Sequence, residues 1–179
     1  TCVMKTELFI NLIKEAKNLS SMYTLADILN DKCETLDIRG VAHKGFFASI
    51  TDFPSYYAAN MALLNYKSAQ ELFHENWPIY TRTNDSCPTQ YFNTADVKNS
   101  VISNGCQIEG TVENSVIGRG CVIKKGAVVR NSVVLAEVTV GEGVHVENEV
   151  VDKWANLIHK KEIVSPAEQP GYIRRNDTL

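Results

Sequence analysis

Two rhythms of apolar and polar residues run along this chain, and one gives way to the other near residue 96. In the first stretch Leu8, Phe9, Leu12, Ile13, Ala16 and Leu19 recur at helical spacing behind Thr6, a residue type that caps helices. The pattern predicts an amphipathic helix over 7–19. A short helix follows over 24–30, then strand-like β-branched and aromatic runs over 35–50 that Gly40 and Gly45 interrupt. Asp52 stands where a cap belongs, Pro54 falls in the first turn, and a helical body is expected through about Leu64. Residues 76–92 are Pro-interrupted and polar in the middle, which predicts a linker with a short strand at Pro78–Thr81.

From Val97 onward the helical spacing is gone. Four segments share one template: Val97-Lys-Asn-Ser-Val101, Val112-Glu-Asn-Ser-Val116, Val129-Arg-Asn-Ser-Val133 and Val146-Glu-Asn-Glu-Val150, spaced 15, 17 and 17 residues apart. Between them lie hexads in which an aliphatic residue is followed four positions later by a smaller apolar one, with Gly just before it. These are Ile102 to Cys106, Ile117 to Cys121, Ile123 to Ala127 and Val140 to Val144. A sixfold apolar step inside a repeat near 17 predicts a parallel β-helix of hexapeptides. Three short strands per turn make a triangular coil, with aliphatic residues inside and Gly or Asn at corners that need a positive φ. One coil cannot bury its own interior, so coils must stack and equivalent residues sit above one another. Cys106 and Cys121 are then interior fillers, and Asn99, Asn114, Asn131 and Asn148 form a corner column or ladder. Three to four coils are expected, their open ends covered by the first half of the chain, by the tail from Val150, where Trp154, Leu157 and Ile158 could form a cap, or by another subunit.

Composition narrows the function classes. Of 179 residues, 44% are apolar and 22% charged, as in a globular protein, and the net charge of -3 argues against nucleic-acid or polybasic membrane binding. No apolar run approaches the roughly 20 residues needed to span a bilayer. The opening Thr-Cys-Val has neither a starting Met nor a basic, signal-like segment, as expected of a fragment or processed product. Five cysteines without a C-x-x-C pair fit reduced thiols in a cytoplasmic protein better than a metal site or disulfide framework.

The residues ahead of the repeat carry a more specific signal. "HKGFFASITDFPSYYAANMALLN" (43–65) resembles the segment G-Y-W-x-D-[VI]-G-T-x-x-x-Y-x-x-N-x-x-L of the ADP-glucose pyrophosphorylase (glucose-1-phosphate adenylyltransferase) family. "NWPIYT" (76–81) is similar to its N-W-P-I-x-T linker, and "SCPTQYF" (86–92) to its P-P-A-K-F stretch. "NSVISNGCQIEGTVENSVIGRGCVI" (99–123) resembles the first prism turns of the same family. The likeness runs in order over nearly the whole chain and corresponds to the C-terminal half of a family member. It implies a partial α/β nucleotidyltransferase segment over 1–75, a linker over 76–95, and a left-handed β-helix of hexapeptide repeats with its cap over 96–179. The family transfers the adenylyl group of ATP to glucose 1-phosphate with Mg²⁺, releasing pyrophosphate and forming ADP-glucose for glycogen synthesis.

Departures from the family pattern matter as much. Its Gly-rich nucleotide loop and its F-x-E-K-P sugar segment have no counterpart in these residues, so the chain alone is expected to be inactive and to hold no cofactor. Aligning Gly45-Phe46-Phe47-Ala48-Ser49-Ile50 on G-Y-W-x-D-[VI] places Ser49 where the family has a metal-binding aspartate. A neutral hydroxyl is a poor substitute in a Mg²⁺ site. "SSMYTLADIL" (20–29) resembles S-S-x-D-F-G-x-D-[IL]-[IL], yet Met22-Tyr23-Thr24-Leu25 supplies neither acid nor glycine while Asp27 survives. Asp52, three residues after Ser49, is the one alternative ligand in reach. Two degenerate motifs imply a non-catalytic regulatory subunit of the GlgD type, with a catalytic partner or self-association through the β-helix. The resemblance also implies a sugar-phosphate effector pocket near the linker, with Arg82, Lys124 and Lys125 as candidate contacts; Gln90 replaces the family lysine there. Three other readings stay open: an active nucleotidyltransferase, a related nucleotide-exchange subunit of translation initiation, and a hexapeptide acyltransferase. The last would use His145, the one histidine among the coils, as base; following inward Val144, it is expected to point outward.

Overall fold

The computed structural model describes residues 2–19, 24–73, 76, 78–81, 83 and 85–179. The chain divides into two compact units, Thr1–Lys44 and Gly45–Leu179. The division falls ahead of the second helical stretch.

The first unit is a helix pair, α1 (Thr6–Leu19) and α2 (Leu25–Asp31). Leu12 and Ala16 of α1 bury against Ile28 of α2, with Met4, Leu8, Leu29 and Leu36 packed around them. Thr24 starts α2 with a capping box: its hydroxyl accepts from the Asp27 N–H and the Asp27 carboxylate accepts from the Thr24 N–H at 2.9 Å. Residues 35–50, expected as strands, form none, nor does the described 78–81 segment. β-Branched residues favour a strand only where a neighbouring strand completes the ladder, and no described strand pairs with either segment.

The second unit opens with α3 (Phe53–Ala62), capped by Asp52 with Pro54 in its first turn, and a further helix, α4 (Tyr66–Leu72), capped by Asn65. A parallel β-solenoid follows. Its first coil is β1 (Gln90–Tyr91), β2 (Asp96–Lys98) and β3 (Val101–Ile102), and its second is β4 (Gln107–Ile108), β5 (Thr111–Glu113) and β6 (Val116–Ile117). The third is β7 (Val122–Ile123), β8 (Val128–Arg130) and β9 (Val133–Val134). The fourth is β10 (Thr139–Val140), β11 (His145–Glu147) and β12 (Glu149–Val151), and the fifth is β13 (Asn156–Leu157), β14 (Glu162–Val164) and β15 (Gly171–Ile173). Three five-stranded sheets result, ordered β1-β4-β7-β10-β13, β14-β11-β8-β5-β2 and β15-β12-β9-β6-β3.

Five coils therefore replace the three to four expected. The first begins inside the presumed linker, and the presumed cap is itself a coil. Leu157 lies inside the prism, stacked after Ile108, Ile123 and Val140, while Trp154 is a corner residue whose exposed ring carries the Arg175 guanidinium at 4.2 Å. The open end is closed instead by the last residues: Thr178 bridges to Asn156, and Leu179 packs on the core.

Register explains the repeat. Val97, Val112, Val129, Val146 and Ile163 pair in one column, Ile102, Ile117, Val134, Val151 and Ile173 in another, and most of these are buried in one continuous core. Asn99, Asn114, Asn131 and Asn148 have φ of 42, 47, 44 and 56°, the left-handed conformation that asparagine tolerates better than other side chains. Next to them Ser100, Ser115 and Ser132 make a second column. Each hydroxyl donates to the carbonyl two residues back at 2.6–2.7 Å and accepts the N–H of its neighbour in the next coil at 3.1 Å.

One sheet is apolar on both faces. The outward residues of β3, β6, β9, β12 and β15 are Val101, Val116, Val133, Val150 and Tyr172. Val133 and Val150 are nonetheless 0% and 2% exposed. Helix α3 packs against β9: the Tyr57 hydroxyl donates to the Asn131 carbonyl at 2.5 Å, and the Phe53 ring meets Tyr172 edge-on at 5.8 Å. Burial pushes the Tyr57 phenol above its ordinary value.

Candidate functional site

Position 49 lies on the exposed, non-helical segment just before α3. A hydroxyl there offers a neutral oxygen where magnesium–phosphate chemistry needs an anionic one. Asp52, the nearest acid in sequence, caps α3. Its carboxylate accepts the Ser55 N–H at 2.8 Å, and the Ser55 hydroxyl in turn sits 3.0 Å from the Asp52 N–H, completing a capping box. The Ser55 N–H, then its hydroxyl, hold the Asp52 carboxyl below its ordinary value. Asp27, the surviving acid of the other motif, is engaged in the same way by Thr24, whose hydroxyl donates to it at 2.6 Å and lowers its pKa, helped by the Thr24 N–H. Both acids start their own helices. Met22 and Tyr23 of that motif lie outside the described residues.

These residues do not fit a magnesium–ATP site. Position 49 lacks the charge, Asp52 and Asp27 are each engaged at the start of their own helix, and among the described residues no group of three or more His, Cys, Asp or Glu is placed to hold a metal.

The other candidates are scattered over the prism. Arg82 lies outside the described residues. Lys124 reaches toward Glu109 at 3.7 Å, and Lys125 is exposed at the following corner. Asn99 donates through Nδ2 to Asn114 Oδ1 at 2.7 Å, and Asn148 donates to the Ser165 carbonyl at 2.8 Å, so these side chains join coil to coil. Cys106 and Cys121 are free thiols inside the prism, and their Sγ atoms donate to the carbonyls of Gly118 and Leu135 at 3.1 and 3.0 Å. Contact with the Cys106 sulfur, together with burial, pushes the Cys121 thiol far above the ordinary cysteine range, so it stays protonated. His145 stands on the outer face with Nε2 3.2 Å from Glu147, in a charged row where Arg130 also pairs with Glu113 at 3.1 Å.

Two features escaped the sequence reading. The outward valine column was written in the doublets Val-Ile, Val-Ile, Val-Val and Val-Val, since adjacent strand residues face opposite ways and a doublet demands burial on both sides. Glu149 was visible as the one break in the Asn-Ser template. It is buried, and that burial raises its pKa despite a hydrogen bond from Ser165.

Comparison with known proteins agrees with this architecture. Residues 88–169 match the GlmU-like, C-terminal hexapeptide family. The glycogen biosynthesis protein GlgD of Bacillus subtilis is 30% identical over 173 residues, covering 97% of this chain and 50% of that protein. GlgD of Geobacillus stearothermophilus is 36% identical over 127 residues, 71% of this chain and 37% of that protein. The glucose-1-phosphate adenylyltransferase of Fervidobacterium nodosum is 33% identical over 141 residues, 78% of this chain and 34% of that protein. The chain thus spans between a third and a half of the length of these curated relatives. No helix among the described residues is long and apolar enough to cross a membrane. With its stacked hexapeptide prism and these relatives, the chain belongs to the glucose-1-phosphate adenylyltransferase family and fits the GlgD type.

Proposed function

We propose that this chain is part of a GlgD-type regulatory subunit, which acts in the cytoplasm on the ADP-glucose step of glycogen synthesis without carrying out the chemistry itself. The observation that carries the reading is the serine at position 49 beside an Asp52 already committed to capping α3. Alignment with GlgD along 97% of the chain supports it. In this reading Mg²⁺ and ATP are handled by a catalytic partner subunit, and the prism and α3 form the scaffold through which the partner is contacted. A sugar-phosphate effector, recognised by basic residues such as Arg82, Lys124 and Lys125, would act through the same scaffold.

The complete protein, assayed alone with ATP, glucose 1-phosphate and Mg²⁺, is expected to release no pyrophosphate, and Ser49→Asp alone is not expected to restore release. Mixed with a catalytic subunit, it should co-purify and change that subunit's kcat or its effector response. Strong pyrophosphate release by the unmixed protein overturns the proposal.

A further inference from the structure

The fourth coil ends its serine column with a carboxylate. Glu149 is 4% exposed, and its N–H still donates to the Ser132 hydroxyl at 3.1 Å, as a serine at this position would. Its side chain lies under the longest corner of the solenoid, the Ser165–Pro170 loop that joins β14 to β15. Ser165 donates its hydroxyl to Glu149 Oε1 at 2.5 Å, and its N–H donates to the Glu147 carbonyl at 3.1 Å. The Asn148 side chain holds the Ser165 carbonyl, and the Gly171 N–H returns to the Asn148 carbonyl at 3.0 Å. Gly171 is packed so closely that a Cβ would overlap both carboxylate oxygens and the Ser165 hydroxyl.

One residue further on, Tyr172 carries the ring on which Phe53 rests, and its hydroxyl donates to Asp152 at 2.9 Å. Gly171, which crowds the carboxyl, thus adjoins the residue on which the first turn of α3 rests, and Asp52 immediately precedes that turn. Ser132, just before β9, presents its hydroxyl to the Glu149 N–H, and the last coil presents Ser165 and Gly171. Lys160 is the charged group that acts on it and, like the Ser165 hydroxyl, favours ionisation.

We propose that Glu149 is a proton-operated latch: with its carboxyl neutral, the Ser165–Pro170 loop and β15 close over it, and ionisation loosens the loop and, with it, the seat of Phe53 on Tyr172. The physical cause is that a charge held out of water costs free energy unless fully compensated, and opening the loop readmits water. Burial is the leading influence and raises the native pKa above the ordinary 4.5. The sign follows: the latch contributes stability in full below that ordinary value and loses it as pH rises through the raised native value. The inference does not depend on whether the chain belongs to a regulatory subunit.

Amide hydrogen exchange of the full chain at pH 4.5 and pH 8, corrected for intrinsic exchange, tests the latch. Protection of the Ser165 and Gly171 amides is expected to fall about tenfold per unit of pKa elevation across that range. In Glu149→Gln it should stay level. A level wild-type profile, or an equal fall in Glu149→Gln, overturns the proposal. Should Glu149→Gln fail to fold, the wild-type Glu149 carboxyl is titrated by carbon NMR. A midpoint above the ordinary glutamate range supports the latch, and one at or below it overturns the latch.

Discussion

Asn114 offers a direct test of why the repeat is written as it is. Its φ of 47° is left-handed, its N–H donates to the Lys98 carbonyl at 3.1 Å, and its side chain accepts from Asn99 at 2.7 Å. Asn114→Gly keeps the backbone geometry and loses the side-chain bond. That bond lies between exposed groups, so with the added chain entropy of glycine the cost is about 1 kcal/mol. Asn114→Ala loses the same bond and keeps a Cβ in the left-handed region without the polar group that lets asparagine tolerate it, which costs roughly 1–2 kcal/mol relative to glycine. Part of that difference is offset because alanine has less freedom to lose on folding. Alanine should therefore be the less stable variant by about 1 kcal/mol, which is ~2–5 °C in Tm for a unit of this size. Urea unfolding followed by circular dichroism measures the difference, provided the dependence on denaturant is unchanged. An alanine variant equal to or more stable than the glycine variant would refute corner geometry as the reason for the asparagine column.

The interior column makes a second, graded prediction. Ile123 is fully buried between Ile108 and Val140, so Ile123→Ala should cost about 3–4 kcal/mol, whereas the partly buried Ile102 in the first coil should cost less than half of that. Equal losses in urea titrations would contradict the stacked-prism account. The thiols give a third: Cys2, Cys33 and Cys87 are exposed and should react promptly with a thiol reagent, while Cys106 and Cys121 should react only after unfolding. Five fast thiols in the native protein would remove the interior-filler reading.

Legibility differed sharply along the chain. The corner asparagines, the buried cysteines and the inward aliphatic residues could be placed from spacing alone, because each follows from the two-residue alternation of a strand and the φ demanded at a corner. The capping role of Asp52 was equally local and could be read from Asp-Phe-Pro. The strand-like run over 35–50 misled for the opposite reason: its propensity was real, but a strand exists only with a neighbour. The tail was misjudged because Asn156–Leu157, Glu162–Val164 and Gly171–Ile173 depart from the template and include a longer corner, yet they still complete a coil. At the candidate site the substitution at position 49 was visible in the sequence. That its nearest acid is held in a helix cap required atomic contacts.

The sequence by itself determined that the chain coils into a stacked hexapeptide prism, which residues line it, and which family it resembles. These are properties of short-range spacing and of motifs. The tertiary structure alone decided that five coils form, that α3 covers the outer valines, and that Glu149 is sealed beneath Gly171. Burial of an outward face or a lone carboxylate depends on what arrives from distant parts of the chain, and no local pattern specifies that partner.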